Sequence, residues 1–153
     1  MSQKTNLIRP VIAQIIPALN NGGVERGTIE TAQAISDVGW NPIVISSGGM
    51  LESQLKRAGA KHFTLPVNKK NPVSWQFTKV KLQKILKGEN VDIVHIRSRV
   101  PAWIGLPVAK ALDIPTVSTI HGKFEAYNLL KRAYNKQMLK ADEIIAISKF
   151  TKS

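Results

Sequence analysis

The stretch Val11-Ile12-Ala13-Gln14-Ile15-Ile16-Pro17-Ala18-Leu19, followed by Asn20-Asn21-Gly22-Gly23-Val24-Glu25-Arg26-Gly27, decides how the chain is read. The first half is an apolar run rich in β-branched residues, the pattern of a strand buried in a parallel sheet covered on both faces. Asn20, Asn21, Gly22 and Gly23 break it. Helical spacing then resumes, with Val24, Thr28, Ile29, Ala32, Ile35 and Val38 on one stripe. A strand, a glycine turn and a helix aim free backbone N–H groups at one spot. Without a Cβ at Gly22 or Gly23 an anion can approach the main chain, and the helix N-terminus favours negative charge. A phosphate is the guest such a turn suits. The competing reading is that the two glycines only permit a tight turn. A nicotinamide site is not indicated. The spacing is G-G-x-x-x-G, and the second strand ends at Ser46-Ser47-Gly48-Gly49 with no acid for a ribose hydroxyl.

Outward from that stretch, strands and helices alternate. A second strand is expected at residues 43–46, a short helix at 51–58 and a third strand at 62–67, followed by an exposed basic loop at 68–72. Ser74 is placed to cap a helix that turns Phe77, Val80, Leu82, Ile85 and Leu86 inward and Lys79, Lys81, Lys84 and Lys87 outward, with Gly88 as its stop. The fourth strand is read at 91–98. A nearly all-apolar helix follows at 102–112, with Pro101 in its first turn and Pro107 expected to kink or split it. The fifth strand covers 116–120, a long basic amphipathic segment 123–140, and the sixth strand 143–148. Alternation throughout implies right-handed crossovers and a doubly wound parallel sheet of order 3-2-1-4-5-6, with a crevice between the first and fourth strands.

At 153 residues the chain is expected to form one domain, and its 43% apolar content is that of a globular protein. There is no cysteine, which removes disulfides and thiolate metal sites. No run approaches the roughly 18 apolar residues of a membrane span, and residues 1–9 carry no secretory pattern, so a cytoplasmic location is expected. The net charge of +12 suits anionic partners, either acidic lipid headgroups or phosphorylated ligands, and competes with the reading of a lysine-rich solvated surface. Nucleic acid is not expected, because arginines and aromatics are not interleaved on one element.

Several residues fall at strand ends, where ligands of open α/β sheets bind. Glu25 and Arg26 open the first helix. Arg97 and Arg99 flank Ser98, and alternation in an extended chain would set both on one side as a pincer for a phosphate or carboxylate. His121, before Gly122, ends the fifth strand and faces the crevice. His95, between Val94 and Ile96, reads as a hydrogen-bonded core histidine, and His62 is uninformative. No metal site is indicated by these histidines.

Taken together, Gly22-Gly23-Val24-Glu25-Arg26-Gly27-Thr28, Val38-Gly39-Trp40, the run from Asp92 to Arg99 with Pro101-Ala102-Trp103, Thr119-Ile120-His121-Gly122 and Ile145-Ala146-Ile147-Ser148 resemble the N-terminal domain of family-4 retaining glycosyltransferases. The bacterial branch associated with lipopolysaccharide core assembly is the most similar in flavour. The resemblance implies one Rossmann-like half of a two-domain GT-B architecture, with this half holding the acceptor and a C-terminal domain holding the sugar nucleotide. It implies that Gly22 and Gly23 lend N–H groups to the donor diphosphate, and that His121 is catalytic beside the transferring sugar. Glu25, Arg26, Arg97, Ser98 and Arg99 are then candidate acceptor or phosphate contacts. It implies metal-independent transfer, with no cofactor. Its paired glutamates and basic phosphate clamp belong to the C-terminal domain, which is expected to be absent from residues 1–153. The expected partners are a nucleotide-sugar donor, a lipid-linked saccharide and an anionic membrane surface, with the chain inactive alone and peripheral at the inner face of the membrane. A second hypothesis is a non-catalytic basic module that binds anionic lipid or glycolipid.

Overall fold

The computed structural model describes residues 9–120 and 136–146. Six parallel strands form one sheet: β1 (Val11–Ile15), β2 (Asn41–Ser46), β3 (Lys61–Thr64), β4 (Ile93–Ile96), β5 (Thr116–Ile120) and β6 (Glu143–Ala146). Their order is β3-β2-β1-β4-β5-β6, as the alternation of elements implies. Helices α1 (Gly23–Asp37) and α2 (Glu52–Arg57) precede β2 and β3, while α3 (Pro72–Gly88) and α4 (Arg99–Ala111) precede β4 and β5. The chain is thus an α/β, Rossmann-like doubly wound domain.

Side-chain alternation along the strands explains its two layers. Ala13, Ile15, Val94 and Ile96 point to one face and form a core with Leu82 and Leu86 of α3 and Ile104 and Val108 of α4. Ile16 and Val44 point to the other and pack with Ala32 of α1 and Leu55 of α2. Gly105 lets α4 settle onto the sheet, since a Cβ there would lie 2.7 Å from the Ile96 Cδ1 and 2.9 Å from the Ile15 Cδ1. The first amide of β1 is held by Asp92, and Asp142 binds both the amide and the hydroxyl of Thr116 at the amino edge.

Several expectations need correction. Helix α3 is capped by Asn71, whose side chain accepts from the Val73 amide, with Pro72 at the first helical position; Ser74 instead donates to the Asn71 carbonyl. Its inward stripe is Thr78, Leu82 and Leu86, with Trp75 and Ile85 half-buried, whereas Phe77 is 72% exposed and Val80 also faces solvent. Gly88 remains helical, and the turn to the left-handed region is made by Asn90 at φ 52°. Helix α4 continues through Pro107 without splitting. Val38 caps the end of α1 and is exposed rather than part of its buried stripe. Strand β6 lies at a sheet edge, with Ile144 and Ile145 exposed. The segment 123–140 is described only from residue 136, where a short 3-10 turn (Gln137–Lys140) packs beside α4.

Candidate functional site

The carboxyl ends of β1 and β4 adjoin at the point where the chain reverses its winding, the place where open α/β sheets bind ligands. From β1 the chain passes through residues 16–22 into α1, and from β4 it passes through Arg97 and Ser98 into α4. Because the two helices cover opposite faces, their N-termini open on the same edge from either side of the sheet. Both bring the positive end of a helix dipole to this edge, and the first amides of α1 have no acceptor within their own helix.

Gly22 is the N-cap of α1, with φ −173° and ψ 172°, an extended conformation open to any residue, and no side chain caps the helix. A Cβ on Gly22 would meet only the carboxylate of Glu25, folded back over its own helix start. A Cβ on Gly23 would meet nothing within 4 Å. Neither the backbone nor the packing of the described residues requires glycine at Gly23, which bears directly on the tight-turn reading. Arg26 lies exposed, its Nη2 donating to the Asn21 Oδ1 at 3.4 Å.

The loop itself is held from behind. Leu19 donates its amide to the Gly48 carbonyl, Leu51 donates to the Leu19 carbonyl, and Ser47 donates from both its amide and its Oγ to the Pro17 carbonyl. Gly49, at φ 156°, is needed here, because a Cβ would fall 2.5 Å from the Leu19 backbone. Further support comes from Ser46, whose Oγ lies 2.7 Å from the His62 Nε2, with the Glu52 Oε1 3.4 Å from the other ring nitrogen. Burial holds the His62 pKa below its ordinary value, against the pull of Glu52 upward.

Arg97 does not form the pincer expected with Arg99. Strand alternation stops at Ile96, Ser98 is the N-cap of α4, and Arg99 begins the helix. Arg97 is 6% exposed and runs beneath α1. Its Nε donates to the Gln14 Oε1 at 2.7 Å, and its Nη2 donates to the Thr31 Oγ1 at 2.8 Å. The Gln14 Nε2 donates in turn to the Thr28 carbonyl at 3.1 Å. This chain of bonds ties β4 to β1 and both to α1. No carboxylate pairs with Arg97 among the described residues, and burial lowers its pKa while the guanidinium stays charged at neutral pH. Sequence reading missed Gln14, although a lone amide inside an apolar strand was a visible signal.

Ser98 is half-buried and makes no side-chain cap bond to its helix. His95 is hydrogen-bonded within the sheet, its Nε2 lying 2.5 Å from the Thr119 Oγ1, as expected of a core histidine. His121 and Gly122 lie outside the described residues, directly after the end of β5 at Ile120. The described residues therefore bring Gly22, Gly23, Glu25 and Ser98 to one sheet edge and withdraw Arg97 into the wall behind it. A cleft of about 800 Å³ at the opposite edge, lined by Leu106, Lys110, Thr116, Gln137 and Asp142, includes none of them.

The model of Glycosyltransferase Family 4 matches residues 21–153. A glycosyltransferase structure from Rickettsia africae ESF-5 is 40% identical with a TM-score of 0.80, over 94% of this chain and 38% of that one. Acinetobacter baumannii MurG is 17% identical with a TM-score of 0.72, over 93% and 42%. The S. aureus MnaA–UDP structure is 16% identical with a TM-score of 0.62, over 93% and 39%. No curated protein sequence matches the chain. The chain thus spans well under half the length of the structures it resembles, as one domain of a GT-B architecture does. It belongs to Glycosyltransferase Family 4.

Proposed function

We propose that this domain is the acceptor-side half of a glycosyltransferase that moves a sugar from a nucleotide-sugar donor to a lipid-linked saccharide such as lipopolysaccharide core, at the inner face of a membrane. The observation that carries the reading is the pair of helix N-termini opening on the β1–β4 edge, with Gly23 exposed and open space where its side chain would be. In the transfer, the bond from the anomeric carbon to the donor diphosphate breaks as a bond to the acceptor hydroxyl oxygen forms, and the hydroxyl proton passes to the departing diphosphate. Negative charge grows on the diphosphate, and backbone N–H groups of Gly22 and Gly23 at the positive end of α1 stabilise it. His121 lies beside the transferring sugar, as the family resemblance implies. Ser98, Arg99, Glu25 and Arg26 line the acceptor side. Arg97 fixes the distance between α1 and β4 instead of touching ligand.

The donor is held by a second domain facing this one, so the 153 residues supply one wall of the cleft. Orientation of donor and acceptor alone can be worth roughly 7–11 kcal/mol, and one wall forfeits most of it. Family membership supports this reading over that of a non-catalytic basic module. A radiolabelled-sugar transfer assay tests it. The expected result is no transfer by the 153-residue chain, transfer when a matching donor-binding domain is added, and severe loss with Gly23→Val or His121→Ala in the pair. Robust transfer by the chain alone would overturn the two-domain reading, and full activity in both variants would relocate the site.

A further inference from the structure

The start of α1 already carries an anion of its own. Glu25 is the third residue of the helix and the acid of its first turn. Its carboxylate folds back over Gly22: a Cβ there would collide with the Glu25 Oε2 and stand 3.2 Å from the carboxylate carbon. An acid that reaches back to the cap in this way is half of a capping box, whose other half is a serine or threonine at the cap itself. Here the cap is glycine, and the reciprocal bond is missing. Among the described residues no hydrogen bond or ion pair holds the carboxylate, and the neighbouring Arg26 turns to Asn21 instead. What holds it is the positive potential of the site. The helix dipole supplies one part. Arg97 supplies another: it is 6% exposed, its Nη1 lies 3.6 Å from where a Gly27 Cβ would stand, and that nitrogen donates to nothing among the described residues. Gly27 is one turn, about 6 Å, along α1 from Gly23. A buried guanidinium thus sits close under the helix start, where little water screens it.

We infer that the Glu25 carboxylate is a resident counter-ion, which an incoming phosphate displaces from the start of α1. A dianionic phosphate brings more charge and more acceptor oxygens to the Gly22 and Gly23 amides than one carboxylate does. The carboxylate hangs on a flexible stem, so it leaves without a change of backbone. Glycine at the cap leaves room for the exchange, since a Cβ there would push the carboxylate away for good. In the ligand-free domain Glu25 offsets the dipole and the Arg97 charge, and in the bound domain the ligand does. Displacement presupposes the phosphate site proposed above. It gives Glu25 the opposite effect from a ligand contact: removing its charge tightens binding.

The test is a titration of the isotopically labelled chain with inorganic pyrophosphate, read from the Gly22 and Gly23 amides in the native chain and two variants. Glu25→Gln keeps the size of the side chain and removes its charge. It should tighten pyrophosphate about fivefold, the weight of an acid in a first helical turn. The same change should lower the melting temperature of the ligand-free chain by about 2 °C, because the helix start loses its own anion. Glu30→Gln, at an exposed acid more than one turn further along α1, should change the affinity less than about twofold. In the native chain the Glu25 carboxylate carbon should shift in step with the Gly23 amide. Unchanged or weaker binding by Glu25→Gln would overturn the inference and leave the phosphate site standing. Equal tightening by Glu30→Gln would also overturn it, because net charge would then be enough. No saturating shift at Gly22 or Gly23 in any of the three proteins would overturn it together with the site it presupposes.

Discussion

Two glycine pairs follow two neighbouring strands, and they do opposite work. Gly48 and Gly49, after β2, have φ of 94° and 156°, and a side chain on Gly49 would enter the Leu19 backbone. Gly22 and Gly23, after β1, have no such constraint: Gly22 is extended, and Gly23 borders open space. The first pair is glycine because of the protein around it. The second pair meets at most the movable Glu25 carboxylate, at the edge where we propose that a phosphate binds. What the absent Cβ would touch therefore separates the pair the fold requires from the pair we propose to face a ligand.

The comparison is broken most severely at Gly49. Gly49→Ala combines a strained φ with a clash against backbone that cannot move aside, and should cost about 3 kcal/mol or more in denaturant unfolding. Gly23→Val should leave stability within about 1 kcal/mol, because a Cβ there meets no atom and valine has a helix propensity no worse than that of glycine. In a complete two-domain enzyme the same change should lower the transfer rate about 100-fold, the scale of losing one donor to a developing anion. Equal stability losses at Gly49 and Gly23 would erase the distinction between the pairs.

Behind Gly22 and Gly23, Arg97→Met should cost about 2 kcal/mol, because it strands the buried Gln14 Oε1. Adding Gln14→Leu should cost less than the sum of the two single changes, since the polar partners leave together. Beneath the structural pair, His62 gives a smaller, pH-dependent effect. Its folded pKa lies below 6.5, so below that pH the unfolded chain takes up the proton more readily. Stability is then fully present above pH 6.5 and falls as the pH drops from there toward the folded pKa. His62→Gln, which can still bond Ser46, should flatten that slope in urea titrations across the window.

The sheet was legible because its signals are local and redundant. Apolar runs, most of them ended by glycine or proline, marked six strands, and handed crossovers left one order for them. Helix α3 was misread because its sequence offers two overlapping apolar rows. Phe77 and Val80 are more hydrophobic than Thr78, but only the Thr78–Leu82–Leu86 row meets the core that α3 shares with α4. For the proposed site, the sequence marked residues that share a sheet edge and not the contacts they make. Strand ends marked Gly22, Gly23 and Ser98, whereas the inward course of Arg97 depends on Gln14 from another strand and Thr31 from a helix. Spacing within one segment carries no record of such partners.

The ligand-facing assignment is tested most directly by amide resonances of the isotopically labelled chain during titration with inorganic pyrophosphate at millimolar concentration. The account predicts progressive, saturating shifts of the Gly22, Gly23 and Val24 amides, with the Gly48 and Gly49 amides unmoved. Saturating shifts at Gly48 and Gly49 with none at Gly22 and Gly23 would contradict it.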